Sequence, residues 1–124
     1  MPQYSLPNPS VTFLYDKEMV RLNDTYVTPE MIVPADFESD GNSAPWFARV
    51  VFPRFGRDLP ACIVHDYCYG GAMSRKQADK LLKKNMKRLG FKWWKYQVMY
   101  WSVRIGGHSH YKRRQVQTGR MATV

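Results

Sequence analysis

Cysteine is scarce in this chain of 124 residues, where only Cys62 and Cys68 occur. They lie six positions apart on one predicted helix, so a rise of about 9 Å separates them, which is more than a disulfide allows. Two cysteines beside a single nearby histidine also lack the paired spacing of a structural zinc site. We therefore expect reduced thiols and no structural zinc.

Long apolar runs are also missing. No stretch approaches the roughly 20 residues that cross a membrane, and Met1–Tyr4 lacks the basic-then-apolar pattern of a secretory signal. We expect a protein without a transmembrane segment and without Sec-dependent secretion. It would be made in the cytoplasm of its producer, unless it leaves by a route that needs no signal.

The chain has few acidic residues relative to its basic ones. The chain has 19 Lys and Arg against 10 Asp and Glu, a formal net charge of +9, and the excess lies in residues 74–95 and 104–120. Such a charge attracts nucleic acid, anionic lipid or an acidic protein, and charge alone does not choose among them. No nucleic-acid-binding module is recognisable, so the net positive charge is the one feature that indicates nucleic acid as a partner.

The N-terminal third has the pattern of short strands. Its β-branched and aromatic residues are punctuated by prolines and by Asn23–Asp24, which is typical of a small antiparallel sheet with tight turns. The expected strands are Val11–Tyr15, Met19–Leu22, Tyr26–Val27 and Met31–Val33.

The stretch 37–45 is rich in Asp, Asn, Gly and Ser. One interpretation is a plain connecting loop. The other is a loop that curls around a hard cation, because calcium prefers carboxylate and carbonyl oxygens. Both interpretations stay open at this point.

The apolar run that follows predicts a helix of roughly three turns. Asp58 can cap this helix, Pro60 suits its first turn and Gly70–Gly71 can end it. The run carries His65 and Asp66 next to each other. Because a helix turns about 100° per residue, these two side chains point in different directions, and each needs a different partner.

A second helix is predicted from the capping box Ser74–Gln77 to about Leu89, with Gly90 at the C′ position. One of its faces is apolar and the other is rich in lysine. Asp79 lies at the edge of the apolar face, where an acid needs a partner. The alternative is an acid near the helix N-terminus whose head reaches water.

A third helix is predicted over roughly Lys92–Ile105. An aromatic and aliphatic stripe with helical spacing is expected to form core. Its members are Trp94, Val98, Trp101 and Ile105. The residues after Gly106–Gly107 are basic and aperiodic, which is typical of an extended arm that binds an acidic partner.

We thus predict a single α+β domain. The change in hydrophobic period near Asp58 divides residues 1–107 into a β-rich part with its loop, 1–57, and a helical part, 58–107. The β-rich part is expected to pack on a helical hairpin, with the third aromatic helix after it. A basic tail, 108–124, follows.

If the first two helices pack antiparallel, His65 can face Asp79 while Asp66 faces the loop at Asp40–Gly41. A carboxylate that fixes one imidazole nitrogen leaves the other free to take a proton from water. A cation held by Asp66 and Asp40 would polarise an ester carbonyl and stabilise its oxyanion.

Nearly the whole predicted domain resembles a family of phage and bacterial proteins known as domain of unknown function 1353. The motifs that carry the resemblance are Val33–Phe37, Asp40–Pro45, Val64–Tyr67, Ser74–Asp79 and Met99–Val103. This resemblance implies synthesis in a bacterial host cytoplasm and a role in the virion or in lysis.

A more remote resemblance is to the prokaryotic secreted phospholipases A2. It is carried in order by Asp40–Ser43, Phe55–Gly56, Pro60–Cys62, His65–Asp66, Tyr69, Ser74–Arg75 and Asp79. It implies a phospholipase-like helical core in which His65 is the general base and Asp79 orients it. It also implies calcium ligation by Asp66, by Asp40 and by the carbonyl of Gly41.

Two functions fit these features. The first is a calcium-dependent acyl-ester hydrolase that acts on membrane phospholipid at the host envelope. The second is a non-catalytic virion or assembly component, such as a tail, connector or capsid-associated protein, that binds other virion proteins or an acidic partner through its basic tail. A metal phosphohydrolase would need more histidine ligands, and the other two histidines, His108 and His110, lie in the tail.

Overall fold

The structure is a computed structural model, and it describes residues 6–41, 52 and 55–106. Short strands come first and helices follow, which confirms the predicted α+β class. The strands are β1 (Val11–Leu14), β2 (Met19–Leu22), β3 (Tyr26–Val27), β4 (Ile32–Val33) and β5 (Glu38–Ser39). The α-helices are α1 (Leu59–Tyr67), α2 (Arg75–Arg88) and α3 (Trp93–Gly106), and a π-helical turn, Cys68–Ala72, follows α1.

The strands form two small antiparallel arrangements rather than the one expected sheet. In the first, β2 lies between β1 and β5, with Thr12 opposite Arg21 and Val20 opposite Ser39. In the second, β3 pairs only with β4. The fifth strand, β5, was not predicted, because its two residues open the polar stretch interpreted as a loop.

The first α-helix is shorter than predicted, with nine residues before the π-helical turn. Asp58 holds the N-cap position, but its side chain makes no capping hydrogen bond. It lies instead against Cys62, whose thiol is 3.5 Å from the carboxylate. The turn ends at Gly71, whose φ of 107° is a conformation that glycine adopts without strain.

Both predicted ends of α2 are confirmed. Ser74 and Gln77 form a complete capping box. At the other end, Gly90 has φ 82°, and the amides of Gly90 and Phe91 donate to the carbonyls of Lys87 and Met86. This pair of bonds is the Schellman pattern, which satisfies carbonyls that the helix leaves open.

Two apolar clusters hold the elements together. The first joins the strands to α1, the π-helical turn and α2 through Val20, Leu22, Tyr26, Val33, Ile63, Val64, Cys68, Tyr69, Ala78 and Leu81. The second joins α1 and α2 to α3 through Phe52, Ala61, Leu82, Met86 and Met99. Both faces of α1 are therefore buried, which places its polar residues inside the protein.

The prediction that the stripe of α3 forms core is wrong for three of its four members, and only Val98 packs against the second cluster. Of its members, Trp94, Trp101 and Ile105 are 43%, 58% and 72% exposed, whereas α3 buries Met99 and Ser102. Apolar side chains occur all round this helix, so the period alone cannot choose the packed face. Ser102 can be buried because its hydroxyl donates to the carbonyl of Val98 at 2.6 Å.

None of the helices in the described part of the chain is long and apolar enough to cross a membrane. Cys62 and Cys68 are both buried and free, in agreement with the expected reduced thiols. The predicted tail, 108–124, and its two histidines lie outside the described residues, as do positions 42–45 of the predicted loop.

Candidate functional site

The site is centred on the carboxylate of Asp79, which α2 carries into the interior with no solvent exposure. The capping box at Ser74 fixes where α2 begins and so turns this position inward. Buried carboxylates are costly unless other groups bond them. The alternative prediction, in which Asp79 reaches water near the helix N-terminus, is therefore wrong.

The first partner of Asp79 is His65 on α1. Its Nε2 lies 2.7 Å from Oδ1 of Asp79, and the imidazole side chain is 11% exposed. With the Nε2 proton donated to the carboxylate, Nδ1 is left as the atom that can accept a proton. The predicted contact between these two residues is present, whereas their catalytic roles stay predictions.

The second partner is Tyr69, which was singled out as part of a motif but given no role. Its hydroxyl donates to Oδ1 of Asp79, and its ring lies 4.1 Å from that of His65 between centroids. Burial, and then the bond to Asp79, raise the pKa of Tyr69 far above the ordinary value. The phenol is therefore a permanent donor, and its spacing of four residues from His65 is the signal that could have revealed it.

The third partner is Arg104 on α3, whose Nη1 donates to Oδ2 of Asp79 at 2.9 Å. Arg75 at the start of α2 donates in turn to the carbonyls of Val103, at 3.0 Å, and of Arg104. Two arginines thus cross between α2 and α3 in opposite directions. Sequence reasoning gave Arg75 no role beyond its place in the Ser74–Arg75 motif, and it missed Arg104, because a single arginine at the end of an aromatic helix carries no distinguishing pattern.

These contacts decide the charge of Asp79. Burial raises the pKa of this carboxyl group, but the hydrogen bonds from His65, Tyr69 and Arg104 outweigh burial and bring the pKa below the ordinary value. Asp79 is therefore a carboxylate at neutral pH. It can orient the imidazole and stabilise the imidazolium that forms when His65 takes a proton.

The predicted calcium ligands lie beside the next residue of α1. Asp66 is buried, with 2% exposure, and its Oδ2 accepts the amide of Asp40 at 3.3 Å. Gly41 is also buried, has φ 70°, and donates its amide to Oγ of Ser39 at 3.1 Å. The structure therefore brings Asp66 to the Asp40–Gly41 loop, as predicted.

The groups of this second cluster are oxygen donors, the kind of ligand that a hard cation prefers. Asp66 and Asp40 each carry a carboxylate, the backbone amide of Asp40 donates to that of Asp66, and Gly41 adds a backbone carbonyl to the same loop. Calcium takes six to eight oxygen ligands, often including water. Across residues 6–41, 52 and 55–106, no group of three or more His, Cys, Asp or Glu side chains is arranged to hold a metal ion.

Fold and site together define an α+β protein with a buried His–carboxylate network beside a pair of aspartates. The chain belongs to the family described as a protein of unknown function (DUF1353), whose model matches residues 17–103. No curated protein and no solved structure matches the chain. The matched range contains every residue of the network except Arg104.

Proposed function

We propose that this protein is an acyl-ester hydrolase of the phospholipase A2 type that acts on membrane phospholipid. The observation that carries the proposal is the 2.7 Å contact between Nε2 of His65 and Oδ1 of the buried Asp79. A His–carboxylate pair of this kind is the usual means of making a base from an imidazole. The resemblance to prokaryotic phospholipases A2 supports the same assignment.

In the proposed reaction, Nδ1 of His65 removes a proton from a water molecule as that water attacks the ester carbonyl. Asp79 holds the imidazole and stabilises its protonated form. Tyr69 and Arg104 fix the carboxylate, so that it does not have to reorient during the reaction. The proton then passes from His65 to the leaving alkoxide, and fatty acid and alcohol are the products.

Asp66, Asp40 and the carbonyl of Gly41 would hold a calcium ion next to this base. When bound, the ion would supply positive charge that polarises the ester carbonyl. Asp66 follows His65 on α1, so one helix would carry both the base and a ligand for the ion. This arrangement supports a requirement for calcium.

The second candidate function is a non-catalytic component of a virion or of its assembly. The crossing of Arg75 and Arg104 between α2 and α3 favours it, because such bonds fasten helices together whatever the role of His65. In that case the polar network would be structural, and the basic surface would bind an acidic partner. The resemblance to phage proteins fits both candidates.

Release of fatty acid from phospholipid vesicles separates the two functions. The hydrolase proposal expects release by the parent protein with calcium, little release with a chelator, and none by His65→Gln. Lys76→Gln on the exposed start of α2 is the control, since it changes the charge of a surface residue only. Release that persists in His65→Gln would contradict the assigned base.

Isothermal titration with calcium gives a readout that does not depend on activity. The parent is expected to bind the ion, and Asp66→Asn is expected to lose that binding because one of two carboxylates is removed. Asp24→Asn, an exposed acid on the turn before β3, is the matched control and should bind calcium as the parent does. If the parent shows neither calcium heat nor fatty acid release, the structural candidate is the correct one.

A further inference from the structure

The surface of α3 carries large apolar side chains that no other described element covers. Trp94, Trp101 and Ile105 are 43%, 58% and 72% exposed, and Trp93 beside them is 69% exposed. Single exposed apolar residues are common, but a cluster of tryptophans on one helix is not. We call Trp94, Trp101 and Ile105, together with Trp93 at their edge, the aromatic face.

Helix geometry makes this face continuous. Trp94, Trp101 and Ile105 are separated by seven and four residues, which places them along one side of α3. Met99 lies on the far side of α3 and Ser102 about 100° round from Trp101, and both are 1% exposed and face the protein. The packed side of α3 is therefore occupied, and the aromatic face points outward.

Cationic side chains surround the rings of α3. The Nζ atoms of Lys83 and Lys87 lie 4.9 and 5.2 Å from the ring centres of Tyr100 and Tyr96. Lys95 lies 5.6 Å from the ring centre of Trp94. Such distances are those of cation–π contacts, which hold the ammonium groups beside the aromatic surface.

Helices α2 and α3 expose no acidic side chain of their own within residues 74–106. Residues 74–106 contain ten Lys and Arg but one acid, Asp79. That acid is fully buried and bonded to His65, Tyr69 and Arg104. The exposed charges that α2 and α3 themselves carry within 74–106 are therefore positive, and the Glu30 carboxylate from the strand region pairs with two of them, Lys84 and Arg88.

We infer that the aromatic face binds the surface of a lipid bilayer that contains anionic lipid. Tryptophan is the side chain that most favours the boundary between headgroups and acyl chains. Lysines beside it gain from the negative potential of anionic headgroups. Because one side of α3 is packed against the protein, its exposed aromatic side would lie in the plane of the interface rather than cross the bilayer.

Two other occupants fit the face less well. A second copy of the chain would bring two uniformly positive surfaces together, since a twofold contact repeats the same patch on both sides. Single-stranded nucleic acid would stack on aromatic rings, but the most exposed member of the face is the aliphatic Ile105. An acyl-chain boundary accepts both kinds of side chain.

The aromatic face also lies next to the proposed site. Arg104 stands between Trp101 and Ile105 in the last turn of α3 and contacts Asp79. A bilayer bound here would therefore place lipid beside the His65 network. The inference rests on the proposed function for its biological meaning. Vesicle binding is measured without hydrolysis, so membrane binding and the hydrolase function can be refuted independently of each other.

Flotation with vesicles tests the inference, using phosphatidylcholine alone or mixed with phosphatidylglycerol. The parent is expected to float with the mixed vesicles and much less with the neutral ones. The double variant Trp101→Ser with Ile105→Ser should weaken binding by about tenfold or more. The matched control is Val27→Ser with Ile32→Ser on the β3–β4 hairpin, where both residues are 58% exposed.

The charge component is tested separately with Lys83→Gln and Lys87→Gln, each of which should weaken binding to the mixed vesicles by about fivefold. The double variant Trp101→Phe with Ile105→Leu should keep most of the parent's binding, and circular dichroism would show that every variant is folded. His65→Gln should bind vesicles as the parent does.

Three outcomes would overturn the inference. One is equal flotation of the α3 double variant and the parent. Another is a parent dimer in solution that the α3 double variant converts to a monomer, without vesicle binding by either. The last is binding of a single-stranded oligonucleotide, but not of vesicles, that is lost in the α3 double variant.

Discussion

Replacing Asp79 by Asn separates a catalytic network from a structural one. The amide has the shape of the carboxylate but no charge, and only one of its two polar atoms can accept a hydrogen bond. If its oxygen keeps the bonds from His65 and Tyr69, its NH₂ group faces the guanidinium of Arg104, whose side chain is 26% exposed.

The stability cost follows from those contacts. A hydrogen bond to a charged group contributes about 1.5–3 kcal/mol, and Arg104 can recover part of its loss because it reaches water. We therefore expect Asp79→Asn to lower the free energy of unfolding by about 2–3 kcal/mol. Most of the molecules stay folded at 25 °C if the parent has the stability usual for a domain of this size.

The expected effect on activity is much larger. Without the carboxylate, the imidazolium formed during proton transfer loses its counter-charge, and the neutral ring can hold its proton on the wrong nitrogen. Ester hydrolysis, assayed as fatty acid released per folded molecule, should fall by about 10²–10⁴-fold.

A matched control is available on the same helix. Asn85 has no solvent exposure and accepts a bond from Nη1 of Arg88 at 2.7 Å, so Asn85→Ala should cost a similar 1–3 kcal/mol without touching His65. Urea unfolding measures both stabilities. If the two variants lose activity to the same extent, in proportion to their unfolded fractions, the catalytic role of Asp79 is refuted.

The pH dependence provides an independent check. Because the pKa of Asp79 is lowered in the folded protein, its ionisation stabilises the fold above the ordinary pKa, and this contribution is lost as pH falls through the lowered value. The free energies of unfolding of the parent and of Asp79→Asn should therefore converge in acid. A constant difference between them would show that the carboxylate is not held ionised.

Glu30→Gln should lower stability by about 0.5–1 kcal/mol at neutral pH, because it removes the negative charge and one of the two bonds from Arg88 at 2.5 Å. The bond from Arg88 lowers the pKa of Glu30 to about 2 from its ordinary 4.5. The difference in unfolding free energy between the parent and this variant, measured with urea, should therefore shrink as the pH falls from 4.5 to about 2. Gly90→Ala should lower stability by about 1 kcal/mol, which would appear as a lower melting temperature. The cause is the backbone φ of 82° and not a clash, since nothing lies within 4 Å of an added Cβ. Burial raises the pKa of the Cys68 thiol to about 12, so a thiol reagent should label it slowly at neutral pH until urea unfolds the chain; rapid labelling of the native protein would contradict the packing.

Local signals in the sequence predicted much of this fold. The capping box at Ser74 and the glycine at position 90 act through backbone groups within one turn, so they fix the ends of α2 without tertiary information. The contact between His65 and Asp79 was also predictable, because two helices joined by a short connection bring facing residues together. The N-cap position of Asp58 was predicted correctly, but its side chain contacts Cys62 and makes no capping hydrogen bond.

Features that depend on how the helices pack against each other could not be predicted from local signals. The sequence of α3 is apolar on all sides, so which side packs is decided by the surface that α2 offers, and the tryptophans remained outside. Arg104 enters the site for the same reason, since the rotation of α3 is what brings its guanidinium to Asp79. Strand β5 was missed because two residues next to β2 carry no periodicity.

The short path between α1 and α2 has a consequence for how the protein folds. His65 and Asp79 are 14 positions apart, whereas Asp66 is 26 from Asp40 and Arg104 is 25 from Asp79. Closing the shorter loop costs about 0.5 kcal/mol less entropy, and local contacts tend to form early. We expect φ-values near 0.5–0.8 for Leu82→Ala in α2 and nearer 0–0.3 for Val33→Ala in β4. In this order of folding, His65 contacts Asp79 before Arg104 and the loop at Asp40 reach them. A higher φ-value for Val33→Ala than for Leu82→Ala would contradict this order.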